Sequence, residues 1–287
     1  MLSDRNGVPF PPIRRLAPED HKHCVALSVD RGWSPEEAKW SLLLEEAEVF
    51  GVDAPDGGLA GAVVLARYGP DFASVGMMLV AARHGRRGLG QALMTHLLAE
   101  AGNATVTLFA TDLGKPMYAK LGFRTVRRSA AFTGGFRHGT PGRVRETTRP
   151  ATGADMTAIL DVDKAAFGAD RGYLLRRLPG FAERLRVVET EQGITGYAAA
   201  WRNGPTAVIG PVVAASGADA RRLITDLAAE VPGPVRLDLD PDRPELPEWA
   251  IHHGLEPVSR TAVMAHGDRK PPGDASRLFA PFSVALS

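Results

Sequence analysis

Two rhythms of apolar residues run along the first half of the chain and set out alternating strands and helices. Residues 13–16 read as a short strand, and Pro18-Glu19-Asp20 opens a helix to about Val29. Ser34-Pro35-Glu36-Glu37 predicts a second helix to about Glu46, with Ser34 as N-cap, proline in the first position and two acids in the first turn. Residues 48–52 and 59–67 read as strands joined by the turn Pro55-Asp56-Gly57-Gly58, and 72–81 as a third, strongly apolar strand. The segment His84-Gly85-Arg86-Arg87-Gly88-Leu89-Gly90-Gln91 then runs into a helix with Leu93, Met94, Leu97 and Leu98 on one face, ended by Gly102-Asn103. Residues 105–111 alternate, with Val106, Leu108 and Ala110 on one side. A short helix over 116–120 closes at Leu121-Gly122-Phe123, where a last strand begins. The pattern is that of a mixed α/β layer.

The second half echoes the first. Ile194-Thr195-Gly196-Tyr197 resembles Leu59-Ala60-Gly61-Ala62, and Val235-Arg236-Leu237-Asp238 resembles Val106-Thr107-Leu108-Phe109. Each copy of the latter pattern precedes a glycine and a bulky apolar residue, Gly122-Phe123 and Gly254-Leu255. The matching order implies two copies of one fold. Between them, residues 132–150 are rich in Gly, Pro, Thr and Arg and show neither rhythm, which predicts a first domain over 1–135, a linker over 136–150 and a second domain over 151–287. After the breaker-rich run Asp268 to Ser276, the apolar end LFAPFSVAL is expected to dock as a strand.

The length of 287 residues suits two ordinary domains. With Lys+Arg 34 against Asp+Glu 33, the balance argues against a nucleic-acid coat. All but six of those basic residues are arginines, and with abundant Ala, Gly and Pro this points to a GC-rich bacterial source. The single cysteine, Cys24, excludes an internal disulfide and a multi-cysteine metal site, and its apolar run Cys24-Val25-Ala26-Leu27 reads as a small buried residue. The first fifteen residues carry no signal-peptide pattern, and no apolar run approaches the roughly 20 residues that span a bilayer. A cytoplasmic protein without membrane partners is expected.

The glycine-rich segment is the chemical signal. A strand that ends in an Arg- and Gly-rich turn and opens a helix offers unpaired amides, the positive end of a helix dipole and room for a phosphate. Arg83, Arg86 and Arg87 add charge beside it. A P-loop requires Gly-Lys-Ser/Thr, where this chain has Gly90-Gln91; a dinucleotide fingerprint requires G-x-G-x-x-G, where the order is Gly85-x-x-Gly88-x-Gly90. The run Gly76-Met77-Met78-Leu79-Val80, followed by Arg86-Arg87-Gly88-Leu89-Gly90-Gln91 and by Tyr118-Ala119-Lys120-Leu121-Gly122-Phe123, resembles the acyl-CoA site of the GNAT acetyltransferase superfamily. One departure is Gly85, where the family usually has Arg or Gln. Gly32-Trp33-Ser34 and Ala110-Thr111-x-x-Gly114 in the first half, with Asp163-x-x-x-Phe167-Gly168-x-Asp170-Arg171 and Ile209-Gly210-Pro211-Val212-Val213-Ala214 in the second, resemble a tandem-GNAT subgroup.

That resemblance implies two tandem GNAT-like domains, each a mixed central sheet flanked by helices, and an N-acetyltransferase that moves acetyl from acetyl-CoA to an amine by direct attack in a ternary complex. It places acetyl-CoA on Arg86, Arg87, Gly88, Leu89, Gly90, Gln91 and Thr111, with the pantetheine arm along Leu79 and Val80, and makes Tyr118 the acid that meets the departing thiolate. No metal is implied. The acceptor is a small-molecule or peptide amine, and the oligomeric state is open. No base is legible: the usual strand glutamate is missing from 72–78, leaving Glu48, Asp53 or water. Trp33 belongs either to the acceptor pocket or to packing. The second copy has Ala214-Ala215-Ser216-Gly217-Ala218-Asp219 in place of the loop and Trp249-Ala250 in the region of Tyr118, so it reads as degenerate. His252-His253 read as solvated helix-end residues rather than a metal pair. Two alternatives stand beside this reading: an acyl-CoA-binding sensor or scaffold without turnover, and a mycothiol-synthase-like enzyme, in whose family the active copy is the second.

Overall fold

The computed structural model describes residues 9–138 and 148–286. Residues 1–8 of the N-terminal stretch and 139–147 of the expected linker lie outside them. The first copy contains β1 (Arg14–Arg15), α1 (His21–Asp30), α2 (Glu37–Glu46), β2 (Glu48–Asp53), β3 (Leu59–Arg67), β4 (Phe72–Val80), α3 (Leu89–Ala101), β5 (Thr105–Ala110), α4 (Lys115–Lys120) and β6 (Phe123–Gly134). The second continues with β7 (Thr148–Pro150), α5 (Met156–Phe167), α6 (Gly172–Leu175), α7 (Leu178–Phe181), β8 (Arg184–Thr190), β9 (Gly193–Asn203) and β10 (Thr206–Val213). It ends with α8 (Gly217–Glu230), β11 (Val235–Leu239), α9 (Glu245–His252), β12 (Glu256–His266) and β13 (Leu278–Ala280), the last being the strand expected from the apolar tail.

The strands form one sheet in the order β1-β2-β3-β4-β5-β12-β6-β11-β10-β9-β8-β7, with β13 added on β10. Outward from the central β12–β6 pair, the two sides repeat each other strand for strand, which is the twofold repeat that the sequence echo predicts. The closing strands are exchanged: β12 of the second copy pairs with β5 of the first, and β6 of the first pairs with β11 of the second. The exchange also orders a stretch without strand rhythm. Phe132, Thr133 and Gly134, at the end of the expected first domain, pair with Leu237, Arg236 and Val235, and this long-range pairing overrides local composition.

On one face of the sheet, α1 and α2 share a core with α5, α6 and the C-terminal tail, in which Trp40, Leu43, Ile159, Leu174, Phe282 and Leu286 are buried together. On the other face, α3 covers the first copy and α8 the second, each over its own core. A common core and exchanged strands thus bind the halves together. Each copy also starts on the same device: Arg14 clamps Asp20 through both guanidinium Nη atoms at 2.9 and 2.7 Å, and Arg149 clamps Asp155 at 2.8 and 2.9 Å. Each aspartate also accepts from the backbone N–H three residues earlier, at Ala17 and Thr152, closing the first turn of its helix.

The second helix departs from expectation. It begins at Glu37, not after Ser34, because Glu36 takes a left-handed conformation with φ of 56°. A non-glycine residue there is uncommon and costs of order 1 kcal/mol, which the surroundings must offset. What holds Glu36 is described below.

Candidate active site

The ladder between the parallel strands β4 and β5 runs from Phe72↔Thr105 to Val75↔Leu108 and then stops. At that point β4 bulges against β3: Val64 pairs with Gly76 but Ala62 with Leu79, so Met77 and Met78 oppose Val63 alone. Met77 has φ of 48°, and this bend turns the end of β4 away from β5. The sheet splits into a V whose arms are residues 76–80 and the end of β5. Beyond the β4 arm, a short turn at Ala82–His84 leads to Gly88, which has φ of 78° and forms the N-cap of α3.

A glycine N-cap has no side chain to satisfy the first helical amides. The first turn-closing bond is from Ala92 N–H to Gly88 O, leaving Leu89, Gly90 and Gln91 N–H without intrahelical acceptors. The second copy has the same bulge, since Ile209 pairs with Ala200 but Val212 with Ala198. There the helix start is closed: Ser216 Oγ accepts from Asp219 N–H at 3.2 Å and donates to the Asp219 carboxylate at 2.7 Å. Its V is closed as well, because β13 pairs with β10 through Val212↔Ala280 and Val213↔Leu278. A Cβ on Gly210 would stand 2.1 Å from Pro281 O, so the tail lies directly on that backbone. The degenerate loop is therefore matched by a groove that the chain itself occupies.

The V of the first copy opens into a cavity of about 380 Å³. Its walls are Gly76, Met77 and Met78 of β4, the end of β5 with Thr111, and Tyr118 of α4. The second copy completes it with Trp201, Asn203, Arg236, Asp238 and, on the exchanged β12, Ser259 and Thr261. Ser283 to Ala285 of the tail form the remaining wall, with Ala285 packed so closely on Gly76 that a Cβ there would meet its carbonyl at 2.5 Å. Tyr118 is 7% exposed, and burial pushes its phenol up to about 12.

The cavity is charged in a way the sequence did not reveal. Glu36 accepts from Asn203 Nδ2 at 3.0 Å and forms an ion pair with Lys39, two residues into α2. Lys39 is 6% exposed and faces the Trp201 ring, 6.0 Å from its centroid. Burial pulls its ammonium below the ordinary lysine range, opposed by the Glu36 charge. Across the cavity Arg236 donates twice to Asp238, at 3.1 and 2.8 Å. The strained backbone of Glu36 thus delivers its carboxylate into this ring of charges, where bonds to Lys39 and Asn203 retain it.

The sequence-predicted residues divide by position. Tyr118 and Thr111 line the cavity, and Thr111 Oγ1 accepts from Gly114 N–H at 3.3 Å, shaping the turn into α4. Leu79 and Val80 continue the same arm of β4, and Arg86, Arg87, Gly88, Leu89, Gly90 and Gln91 follow at its end; Gly90 packs under Met78 and Met117, tying that helix start to the wall of the cavity. Arg83 does not join them, since it is held by Asp56 at 2.9 and 3.1 Å in the β2–β3 turn. Trp33 is in the cavity wall at 40% exposure. The two tentative bases lie elsewhere: Glu48 pairs with Arg67 and Asp53 with Arg14 on the outer strand β2. Cys24 is buried, its thiol pushed up to about 12 by desolvation. His253 is not simply solvated, because it stacks on Phe136 at 5.1 Å and its Nδ1 donates to Trp249 O of the preceding helix, 2.8 Å away. Among the described residues, no helix is long and apolar enough to cross a membrane.

Two family models of the acetyltransferase (GNAT) domain match this chain, one over residues 33–139 and one over 159–280. The chain belongs to the tandem GNAT N-acetyltransferases. Its GNAT matches fall on both sides of the exchange, so the closed second copy is a GNAT domain as much as the open first. This tandem GNAT chain is 28% identical over 280 residues to the uncharacterised N-acetyltransferase YitH of Bacillus subtilis, covering 95% of this chain and 97% of the relative. Its fold is similar to that of a candidate acetyltransferase from Pyrococcus horikoshii, with TM-score 0.82, 20% identity and 96% and 95% of the two chains covered. It is also similar to the tandem GNAT protein from the clavulanic acid biosynthesis pathway, with TM-score 0.65, 16% identity and 90% and 99% covered.

Proposed function

We propose that this GNAT chain transfers acetyl from acetyl-CoA to a small-molecule amine, by direct attack with both substrates bound, and that the first copy alone does so. One observation carries the reading: the only start among α3 and α8 that is left uncapped leads along a split β4–β5 edge into a cavity that holds Tyr118 and two carboxylates. The residues fit acetyl-CoA. Leu89, Gly90 and Gln91 offer amides to its diphosphate, helped by the positive end of α3, and Gly88 and Gly90 keep side chains out of the way. The β4 arm from Met77 to Val80 offers backbone groups to the pantetheine arm and an oxyanion contact to the thioester. Acetyl-CoA would supply the activated acyl group; the chain supplies position and protons.

Tyr118 stands where the thiolate would leave. The acceptor enters from the other side, where Glu36 and Asp238 attract an ammonium, and Glu36 is assigned the proton that the amine must lose. The four paired charges suit a compact polar amine better than an apolar one. Glu36→Gln keeps the contact to Asn203 and removes the base; kcat/KM for the amine is expected to fall by about 100-fold, with KM for acetyl-CoA unchanged. An unaltered amine kinetics would remove Glu36 from the assignment.

Gly90→Asp tests the diphosphate site separately. An acid in the first turn favours the helix dipole, while its Cβ would press on the flexible ends of Met117 and Met78 at 3.3 and 3.4 Å, so thermal stability should change little as its charge repels the diphosphate. KM for acetyl-CoA is expected to rise by about tenfold or more. Thiol release measured over a panel of amines decides the larger question, because tight CoA binding with no release from any amine would mark a sensor.

A further inference from the structure

The twofold repeat of the sheet predicts a counterpart to the active cavity on the second copy, and one exists. A second cavity, of about 390 Å³, lies against the end of β11. It uses Phe109 of β5, and Arg127 of β6, as the first uses Asp238 of β11, and Ser259 and Thr261 of β12. Its cofactor groove is gone, since β13 fills that V, and Leu278 to Pro281 become a wall instead. An acceptor-side pocket without an acyl donor has no transfer to perform, yet it has not collapsed.

Its lining states a chemistry. Phe72, Phe109, Phe167 and Phe279 put four aromatic rings in its wall. Most charges around it are already satisfied: Arg171 by Asp163, Arg128 by Asp242, and Asp238 by Arg236. Arg127, Asp240 and Lys270 have no ion-pair partner among the described residues, which leaves the lining one positive charge in excess. Arg127 is half-buried, and burial disfavours its charge with only partial relief from Asp240. Desolvating an arginine without a partner is costly, and an anion delivered on an apolar body would offset that cost. Lys270 at the exposed rim adds attraction of the same sign.

We propose that the cavity bounded by β5, β6, β11 and β13 is a second ligand site, for a compact apolar molecule bearing one carboxylate that Arg127 receives. The site communicates with the active cavity by construction. Phe109 and Asp238 line both, and the tail that walls this pocket with Leu278 to Pro281 walls the other with Ser283 to Ala285. Occupancy should therefore alter the KM of the amine in the active copy, although binding itself does not depend on acetyl transfer.

Titration calorimetry of the full chain with octanoate, and with octan-1-ol as the uncharged analogue, tests the site. Octanoate is expected to bind at one saturable site, at least tenfold more tightly than octan-1-ol, and to remain bound when CoA is saturating. Arg127→Gln should weaken octanoate at least tenfold, and Arg127→Lys should restore most of the affinity, with melting temperature as the control for folding. The proposal is overturned if octanoate does not bind saturably, if octan-1-ol binds as well, if CoA displaces octanoate, or if Arg127→Gln leaves its affinity unchanged.

Discussion

Tyr118→Phe is expected to lower kcat by about 100-fold while KM for acetyl-CoA stays within about twofold, because the substitution removes one hydroxyl and leaves the packing against Phe123. The phenol is pushed up to about 12, well above a thiol near 8.5, so complete transfer of its proton to the leaving sulfur is uphill in the ground state. The contribution proposed for it is a hydrogen bond that strengthens as negative charge develops on sulfur. A pH signature follows. A group that ionises only near 12 stays protonated throughout the usable range, so the wild-type profile should show no alkaline fall due to Tyr118 up to about pH 10. Pre-steady-state measurement of thiol release separates the chemical step from product release; an unchanged rate of release in the variant would dismiss Tyr118 as the acid.

Asp163→Ala should destabilise the fold by about 3–5 kcal/mol, the cost of leaving a buried charge uncompensated. Asp163 is 1% and Arg171 2% exposed, and the guanidinium donates to both carboxylate oxygens at 2.9 and 2.8 Å. Tyr197 donates a third hydrogen bond to Asp163 at 2.5 Å, and Arg171 lies over the Phe167 ring at 4.0 Å. Removing the carboxylate strands the cation and the tyrosine hydroxyl together. Urea unfolding should show a lower midpoint at an unchanged slope. A loss below about 1 kcal/mol would mean that water or another acceptor replaces the carboxylate. This cluster also gives the Asp163, Phe167 and Arg171 of the sequence motif their role, which is to lock α5 onto the sheet.

The elements were legible because their signals are local. Gly88 and Gly90 announced the open helix start, and the alternation over 105–111 announced a strand, whichever strand it pairs with. That last property is why the exchange was invisible: the pattern of β6 or β12 records how much of each face is covered, and partners are chosen by the whole sheet. The charged half of the cavity was hidden for a related reason. In Val235-Arg236-Leu237-Asp238-Leu239 the alternation sets Arg236 and Asp238 apart from the apolar positions but carries no sign of what they meet, which is a cavity shared with the first copy. Glu36 was read as a first-turn acid in a well-formed helix start. A strong local rule failed there because the carboxylate is drawn to Lys39 and Asn203, and such failures collect where function displaces local preference.

The exchanged strands also set an order of events during synthesis. The glycine-rich loop, β4, β5 and Tyr118 have all been synthesised by residue 130, yet the strand that belongs beside β5 is β12. Until that strand and the tail through Leu286 emerge, β5 keeps an open edge, the cavity lacks Arg236 and Asp238, and the shared core lacks Phe282. A truncated nascent chain would therefore carry every residue proposed to bind acetyl-CoA and still be unable to enclose an acceptor. On the proposed function, transfer waits for the copy to which no chemistry is assigned.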